Sequence, residues 1–383
     1  MDVAPFVFPN DVHPSWSIMI VLYPYVTGLV AGSFVVSALY HVFQQDALRP
    51  VAKLALLTSL CFCGLATLPL LLHLHHPERS FLIFVTPNPT SAIAGFGFIY
   101  STYMLVLVFE VWLVFRPVIV QRSQTRTGVV GILYRTLALG ARNITDNGRA
   151  VDAVMIRGLA LVGIPIACVL HGYVGFLFGA VKANPWWSTA LMPVIFLISA
   201  VVSGIALLVL LYLFLCWRRH VAPQPTCVRS LSRYLWVFLL GALSLEGLEL
   251  LQMAYESAEE WEVLSQLLTD HLAVSYGLLQ IIVGSICPLL LLPIAIQPRL
   301  NTRLMCHISA LASLLVLVQV FSMRWNVVVG GQLFSKSFRG FVDYTMTWGG
   351  REGVVAASVV VVLPLLVLWG ASRMLPVWSD QES

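Results

Sequence analysis

Long apolar runs separated by short polar stretches dominate the pattern of this chain. Nine runs are long enough to cross the hydrocarbon core of a bilayer as helices, which takes about 20 residues each. A weaker apolar segment at 127–140 is shorter and contains Arg135, so we expect an interfacial helix there. The nine predicted spans lie near 15–43, 52–75, 92–115, 154–181, 187–216, 230–253, 270–294, 304–325 and 353–375.

Composition supports the same class of protein. Of the 383 residues, 59% are hydrophobic and 10% are charged, whereas soluble domains carry about 25% charged residues. We therefore predict an all-α integral membrane protein with about nine transmembrane helices. Spans one to four and five to eight are expected to form two four-helix bundles. The corresponding divisions are 1–183, 184–330, and 331–383 for an outer loop with the C-terminal helix.

The basic residues indicate the orientation. Most of the 22 lysines and arginines flank the ends of spans one, three, five, seven and nine. The positive-inside rule therefore places the N-terminus in the periplasm and the C-terminus in the cytoplasm. The net charge of +4 bears on topology, and we expect the lipid bilayer rather than nucleic acid as a partner. Two polar loops on the outer side are candidates for partner docking, one with Arg79 and Asn88 and one with Arg324 and Asn326.

The seven cysteines are scattered, and none forms a CxxC pair. Such spacing does not build an iron–sulfur or zinc site. We expect no metal site in this chain and assign the cysteines to helix packing.

Ionisable groups inside a membrane are costly, so each one is a candidate for function or for pairing. His171, followed by Gly172 and Tyr173, lies in the outer half of span four, and Tyr23 and Tyr25 lie in the outer half of span one. A quinol needs an apolar slot, hydrogen-bond partners for two oxygens, and one partner that exchanges protons, which suits histidine. The alternatives are that His171 bonds a neighbouring helix and that the tyrosines serve packing alone.

Three buried carboxyl groups suggest a proton path or helix pairing. Glu246 lies at the depth of Gln280 on the next span. Glu249 lies on the same helix face as Glu246, three residues further along. Glu110 lies in the cytoplasmic half of span three, where it either feeds protons or stays protonated in the apolar surroundings. A proton- or solute-translocating transporter, built from these groups and His171, is the alternative function.

Haem b is a competing use of the histidines. It requires two imidazoles on facing helices at matching depth. His73 or His75 at the end of span two could face His171, so spacing leaves this open. The paired-histidine pattern of a di-haem cytochrome is missing from the spans.

Five stretches, in order, resemble the polysulfide reductase membrane subunit (NrfD) family. Most distinctive is Pro185-Trp186-Trp187-Ser188 followed by a long apolar helix to Gly204, since the tryptophan pair marks a membrane boundary. The other four are Trp16–Gly32, His76–Ser91, His171–Gly175 and Arg324–Gln332.

The resemblance implies a membrane subunit that exchanges electrons between quinone and a ferredoxin-like iron–sulfur subunit with four clusters. That partner would serve a periplasmic catalytic subunit, either a molybdoenzyme, a hydrogenase or a multihaem cytochrome. Menaquinone or ubiquinone would be the substrate, with no haem or cluster in this chain. His171 and Tyr173 would line the quinone pocket, near span one and the His73/His75 end of span two. The location would be the bacterial inner membrane, and a purely structural anchor is a third alternative.

Overall fold

A computed structural model describes residues 14–184, 186–256, 259–333 and 340–378. Across these ranges the chain is helical, and nine helices are long and apolar enough to span a membrane. Pro185 of the tryptophan-pair motif falls outside the described residues. The helices are α1 Ile18–His41, α2 Arg49–Cys63, α3 Leu68–His73, α4 Leu82–Val85, α5 Ala92–Thr125, α6 Gly128–Leu137, α7 Asp146–Gly179, α8 Met192–Arg219, α9 Pro225–Glu256, α10 Glu259–Gln266, the π-helices Leu267–His271 and Ala273–Ile286, α11 Cys287–Ile296, α12 Thr302–Val328 and α13 Val354–Met374.

The prediction of nine spans is confirmed within the described ranges. The weaker segment forms the short helix α6, as expected. The second span differs from a plain helix, because turns at 64–67 divide it into α2 and α3. Pro69 explains the division, since a proline inside a helix clashes with the carbonyl four residues earlier and donates no hydrogen bond. Shorter-range bonds, such as Leu68 N–H to Leu65 O, replace the α-helical ladder there.

The seventh span holds an uncommon feature. Residues Ala273–Ile286 form a π-helix, which continues as the α-helix α11. Most π-helices are single-turn bulges, often at functional sites. This segment is much longer, and its side chains Tyr276 and Gln280 line a cleft described below.

Helix α1 is the hub of the packing. It contacts α2, α7, α8, α12 and α13, and most of its length is buried. The helices α8, α9, α11 and α12 contact one another in a closed ring, and so do α1, α2, α5 and α7. The division into two bundles at 183/184 and the third unit at 331–383 remain predictions.

Gly32 of α1 and Gly204 of α8 form the tightest of these contacts. A Cβ atom on Gly204 would lie 2.4 Å from Gly32 Cα, and one on Gly32 would lie 2.3 Å from Ala200 O. The two backbones therefore touch, as the small-residue spacing from Gly28 to Gly32 predicts. Such contact is the usual way in which transmembrane helices associate closely.

Several long-range contacts define one end of the molecule, which we call the Trp16 end. The Trp16 ring stacks on Trp187 with ring centroids 4.9 Å apart, and the Trp16 N–H donates to Gln332 Oε1 at 2.9 Å. Asn184 Nδ2 donates to Gly331 O at 2.6 Å. The start of α1, the start of α8 and the end of α12 thus meet there. Its assignment to the periplasm remains a prediction.

Candidate functional site

His171 lies in the core of the first group of helices. It is eight residues before the end of α7, roughly 12 Å from that end at 1.5 Å per residue. The side chain is fully buried, and neither ring nitrogen has a hydrogen-bond partner. Buried polar atoms almost always have partners in folded proteins. The unpartnered imidazole is therefore free to bond a ligand or a water.

Small residues surround the His171 ring. A Cβ atom on Gly28 of α1 would lie 3.5 Å from His171 Nε2 and 3.3 Å from Ser203 Oγ of α8. Gly28 therefore leaves room between His171 and the turn of α8 at 200–203. The sequence-based expectation that span one lies near His171 is confirmed by this contact.

The three tyrosines take different positions. Tyr23 is buried with its hydroxyl unpartnered, and its ring meets Phe96 of α5 edge-on, with centroids 5.3 Å apart. Tyr173 faces α5, where its hydroxyl fills the space beside Gly95. Tyr25 turns toward α12 and donates to Leu317 O at 3.4 Å. Tyr23 and Tyr173 thus both face α5, whereas Tyr25 joins another interface.

The histidines of span two lie at the end of α3 and just beyond it. His73, at the end of α3, pairs with Glu352 through Nδ1 and Oε2 at 3.0 Å, and His75 is exposed. Helix α3 packs against α1 and α13. Burial alone would raise the pKa of the Glu352 carboxyl, but hydrogen bonds from Ser17 and His73 and the charges of His73 and Arg351 lower the pKa below its ordinary value. His73 therefore ties α3 to the segment before α13.

Arg324 is fully buried in α12. Its Nη2 donates to Ser199 Oγ at 2.6 Å and to Phe196 O at 3.2 Å, and the guanidinium lies 3.7 Å from the centroid of the Phe196 ring. No carboxylate of the described residues lies within ion-pair distance of it. The opposite charge that acts on it is that of Glu246.

The docking role predicted for Arg324 and Asn326 is wrong, because both side chains are buried. The sequence placed the end of span eight at 325, since an arginine normally marks the edge of a span. The helix instead continues to Val328, because α8 supplies acceptors for the guanidinium. Arg79 and Asn88, in the other predicted docking loop, are exposed.

A chain of hydrogen bonds converges on Glu246. Gln280 Nε2 donates to Glu246 Oε2 at 3.0 Å, and Gln319 Nε2 donates to Oε1 at 3.3 Å. Asn326 Nδ2 donates to Gln280 Oε1 at 2.8 Å, and Ser275 Oγ donates to Asn326 Oδ1 at 2.6 Å. The predicted match in depth between Glu246 and Gln280 is thereby confirmed.

Glu249 lies one turn further along α9, beside a cleft. The cleft has a volume of about 30 Å³, and Glu249 Oε1 is buried there without a partner. Its walls come from α9, from the π-helix, from the start of α8 with the segment before it, and from the end of α12. The lining residues are Trp186, Met192, Ile195, Glu246, Glu249, Leu250, Tyr276, Gln280, Met323, Asn326 and Val327.

Glu110 stands apart from both places. It lies 18 residues into α5, roughly 27 Å from the start of that helix, and both carboxyl oxygens are buried without partners. The structure therefore does not bring Glu110 together with Glu246 and Glu249.

Gln319 and Ser199, which complete the polar network, were not found from the sequence. The available signal was a buried amide within an apolar run of α12.

Comparison with known proteins identifies the family. The model of the family described as "Polysulphide reductase, NrfD" matches residues 8–336. This chain belongs to the NrfD family. His171, Arg324 and the Glu246 network all lie inside the matched range.

Named relatives agree with this assignment. A selenate reductase subunit of Mesobacillus selenatarsenatis is 32% identical over 97% of this chain and 88% of its own length. The Hdr-like menaquinol oxidoreductase integral membrane subunit of Archaeoglobus fulgidus is 25% identical over 84% of this chain and 72% of its own. Protein NrfD of Escherichia coli is 26% identical over 50% of this chain and 57% of its own. This NrfD-family chain is thus a multi-pass membrane protein similar to membrane subunits of reductases.

Proposed function

We propose that this NrfD-family chain is the quinone-interacting anchor of a respiratory oxidoreductase in a bacterial inner membrane. In this role it exchanges electrons between membrane quinone and a ferredoxin-like periplasmic iron–sulfur subunit with four clusters. A periplasmic catalytic subunit (a molybdoenzyme, a hydrogenase or a multihaem cytochrome) would complete the complex. The observation that carries the proposal is the fully buried His171, whose two ring nitrogens lack partners.

A neutral imidazole and a tyrosine hydroxyl suit the chemistry of a quinol. Oxidation of a quinol releases two electrons and two protons, and each oxygen needs a hydrogen-bond partner. A neutral imidazole accepts one proton from a quinol hydroxyl. The unpartnered Tyr23 hydroxyl, where α1 meets α5, can donate to the second oxygen, and Tyr173 lies where α7 meets α5. In the direction of quinone reduction, the same groups deliver protons.

The experiment uses the complex purified gently from membranes with its partner subunits. A short-chain quinol is added, and reduction of the iron–sulfur clusters is followed optically. His171→Gln is expected to lower the rate of cluster reduction about 10²-fold or more, in line with the usual contribution of a proton-transferring side chain. Tyr23→Phe is expected to lower the rate less, because it removes one hydrogen bond.

His307→Gln is the matched control, since His307 is an exposed histidine on α12. It should leave the rate unchanged, and all variants should retain their partner subunits. A normal rate in His171→Gln would overturn the proposed quinone site and would mean that His171 serves only helix packing. A chain that purifies without an iron–sulfur partner and does not respond to quinol would overturn the proposal in favour of the transporter.

A further inference from the structure

We propose that the cleft at Glu249 is a proton-exchange site separate from His171. In this site Glu249 gains and loses the proton through water, while Glu246 stays a fixed hydrogen-bond acceptor. This inference does not depend on the quinone role of His171. It rests on the hydrogen-bond directions around the two carboxyl groups and on the cleft itself.

Both oxygens of Glu246 have donors within the protein. Side-chain amide nitrogens can only donate, and Gln280 and Gln319 each direct one at a different oxygen of Glu246. The orientation of Gln280 is set by its other end, whose Oε1 accepts from Asn326. Both oxygens of Glu246 therefore already accept hydrogen bonds, and such bonds favour the carboxylate form.

Glu249 has the opposite environment. Its Oε1 has no protein partner, although the side chain is only 8% exposed. An unpartnered buried carboxyl oxygen that faces a cleft calls for a ligand that can donate a hydrogen bond. The side chain of Thr189, in the segment before α8, also faces the Glu249 carboxyl group.

The cleft is large enough to hold water. A volume of about 30 Å³ accommodates about two waters, because each needs roughly 10–15 Å³. A hard metal cation takes about six oxygen ligands, but the amide oxygens of Gln280 and Asn326 already accept hydrogen bonds. Water and a proton therefore suit the cleft better than a metal ion does.

The cleft lies close to the ends of the helices that form it, so a proton has a short path to the aqueous phase. Glu249 is seven residues from the end of α9, roughly 10 Å from that end. Met192 begins α8 and Val327 lies next to the last residue of α12, so both walls also end there. This is the Trp16 end of the molecule, the end at which Asn184 bonds Gly331.

The charged and titratable groups around Glu249 in the described structure are few. Glu246 lies on the same helix, and Tyr276 faces both carboxyl groups from the π-helix. Arg324 on α12 acts on Glu246. Glu246 accepts from two amides and Arg324 donates to α8, so Glu249 is the member of this set whose carboxyl oxygen is left without a partner.

The test is infrared difference spectroscopy of the full-length protein in liposomes between two pH values. The wild type is expected to show the carbonyl band of a buried carboxyl group that gains a proton. Glu249→Gln should abolish this band, whereas Glu246→Gln should retain it. Glu256→Gln, at the exposed end of α9, is the matched control. Glu110→Gln shows whether any band comes from Glu110, whose carboxyl oxygens also lack partners.

Assignment of every titrating band to Glu246 or Glu110 would overturn the inference. So would loss of the Glu249 band when choline chloride is replaced by sodium chloride at constant pH, since that result would indicate a cation site. If Glu249→Gln does not fold, Glu249→Asp keeps the carboxyl and should shift the band; an unshifted band contradicts the assignment. Quinol-driven cluster reduction is measured separately, so failure of the His171 site leaves this result intact.

Discussion

Replacement of Gly204 by alanine tests the backbone contact between α1 and α8. The added Cβ would lie 2.4 Å from Gly32 Cα, whereas ordinary contact begins at 3.4 Å. The two helices must therefore separate by about 1 Å, because the atoms in the way are backbone and cannot rotate aside. Overpacking of this kind costs about 1–3 kcal/mol.

Gly241→Ala is the matched control. Gly241 lies in α9 with nothing within 4 Å of its added Cβ, so it gains only the helix propensity of alanine, about 1 kcal/mol. Gly204→Ala gains the same propensity, and the difference between the variants isolates the contact. The assay is the apparent midpoint of thermal unfolding of the detergent-solubilised protein.

We expect Gly204→Ala to melt clearly below Gly241→Ala, and Gly241→Ala to melt at or above the wild type. The α1–α8 separation should also disturb the space at Gly28, one helical turn from Gly32, and so lower quinol-driven turnover. Equal midpoints for the two variants would refute the reasoning, because they would mean that α1 and α8 can part at no cost.

Three further predictions concern the Trp16 end. The low pKa of Glu352 stabilises the fold above the ordinary glutamate pKa of about 4.3, and this stabilisation is lost as the pH falls below that value through the folded pKa; melting midpoints against pH should show an acid step that Glu352→Gln removes. Trp187→Phe leaves the buried Val327 carbonyl without its 2.6 Å donor and should cost about 1–3 kcal/mol in thermal unfolding. Arg79→Glu should weaken association with the proposed iron–sulfur subunit in co-purification, most strongly at low salt.

Each of these predictions has its own control. An acid step that persists in Glu352→Gln would assign the step to another carboxyl group. Trp348→Phe replaces an exposed tryptophan and should leave the midpoint unchanged; a similar loss in both variants would contradict the role of the Trp187 bond. Arg303→Glu reverses an exposed charge at the opposite end of the molecule, so weakened association in this variant would show a general charge effect rather than docking at Arg79.

Parts of the candidate site were predictable because they depend on the cost of burial. A histidine or a glutamate within an apolar run stands out; His171 and Glu249 are buried as expected, and Glu246 is partly buried. Their partners were less visible, since Gln319 and Ser199 are tolerated in many transmembrane helices. The predicted docking role of Arg324 failed for a related reason: whether an arginine ends a span or lies within one depends on acceptors from another helix.

The amino-acid sequence by itself determined the class of this protein, the nine spans found in the described part of the chain, and its membership of the NrfD family. Hydrophobicity and length act locally along the chain, so they can be evaluated without knowing which helices meet. Only the tertiary structure decided that His73 pairs with Glu352, and that amides donate to both oxygens of Glu246 while Glu249 Oε1 has no partner. The physical reason is that hydrogen-bond directions and backbone contacts depend on the rotation and register of each helix against its neighbours, which hydrophobic patterning leaves open in a bilayer.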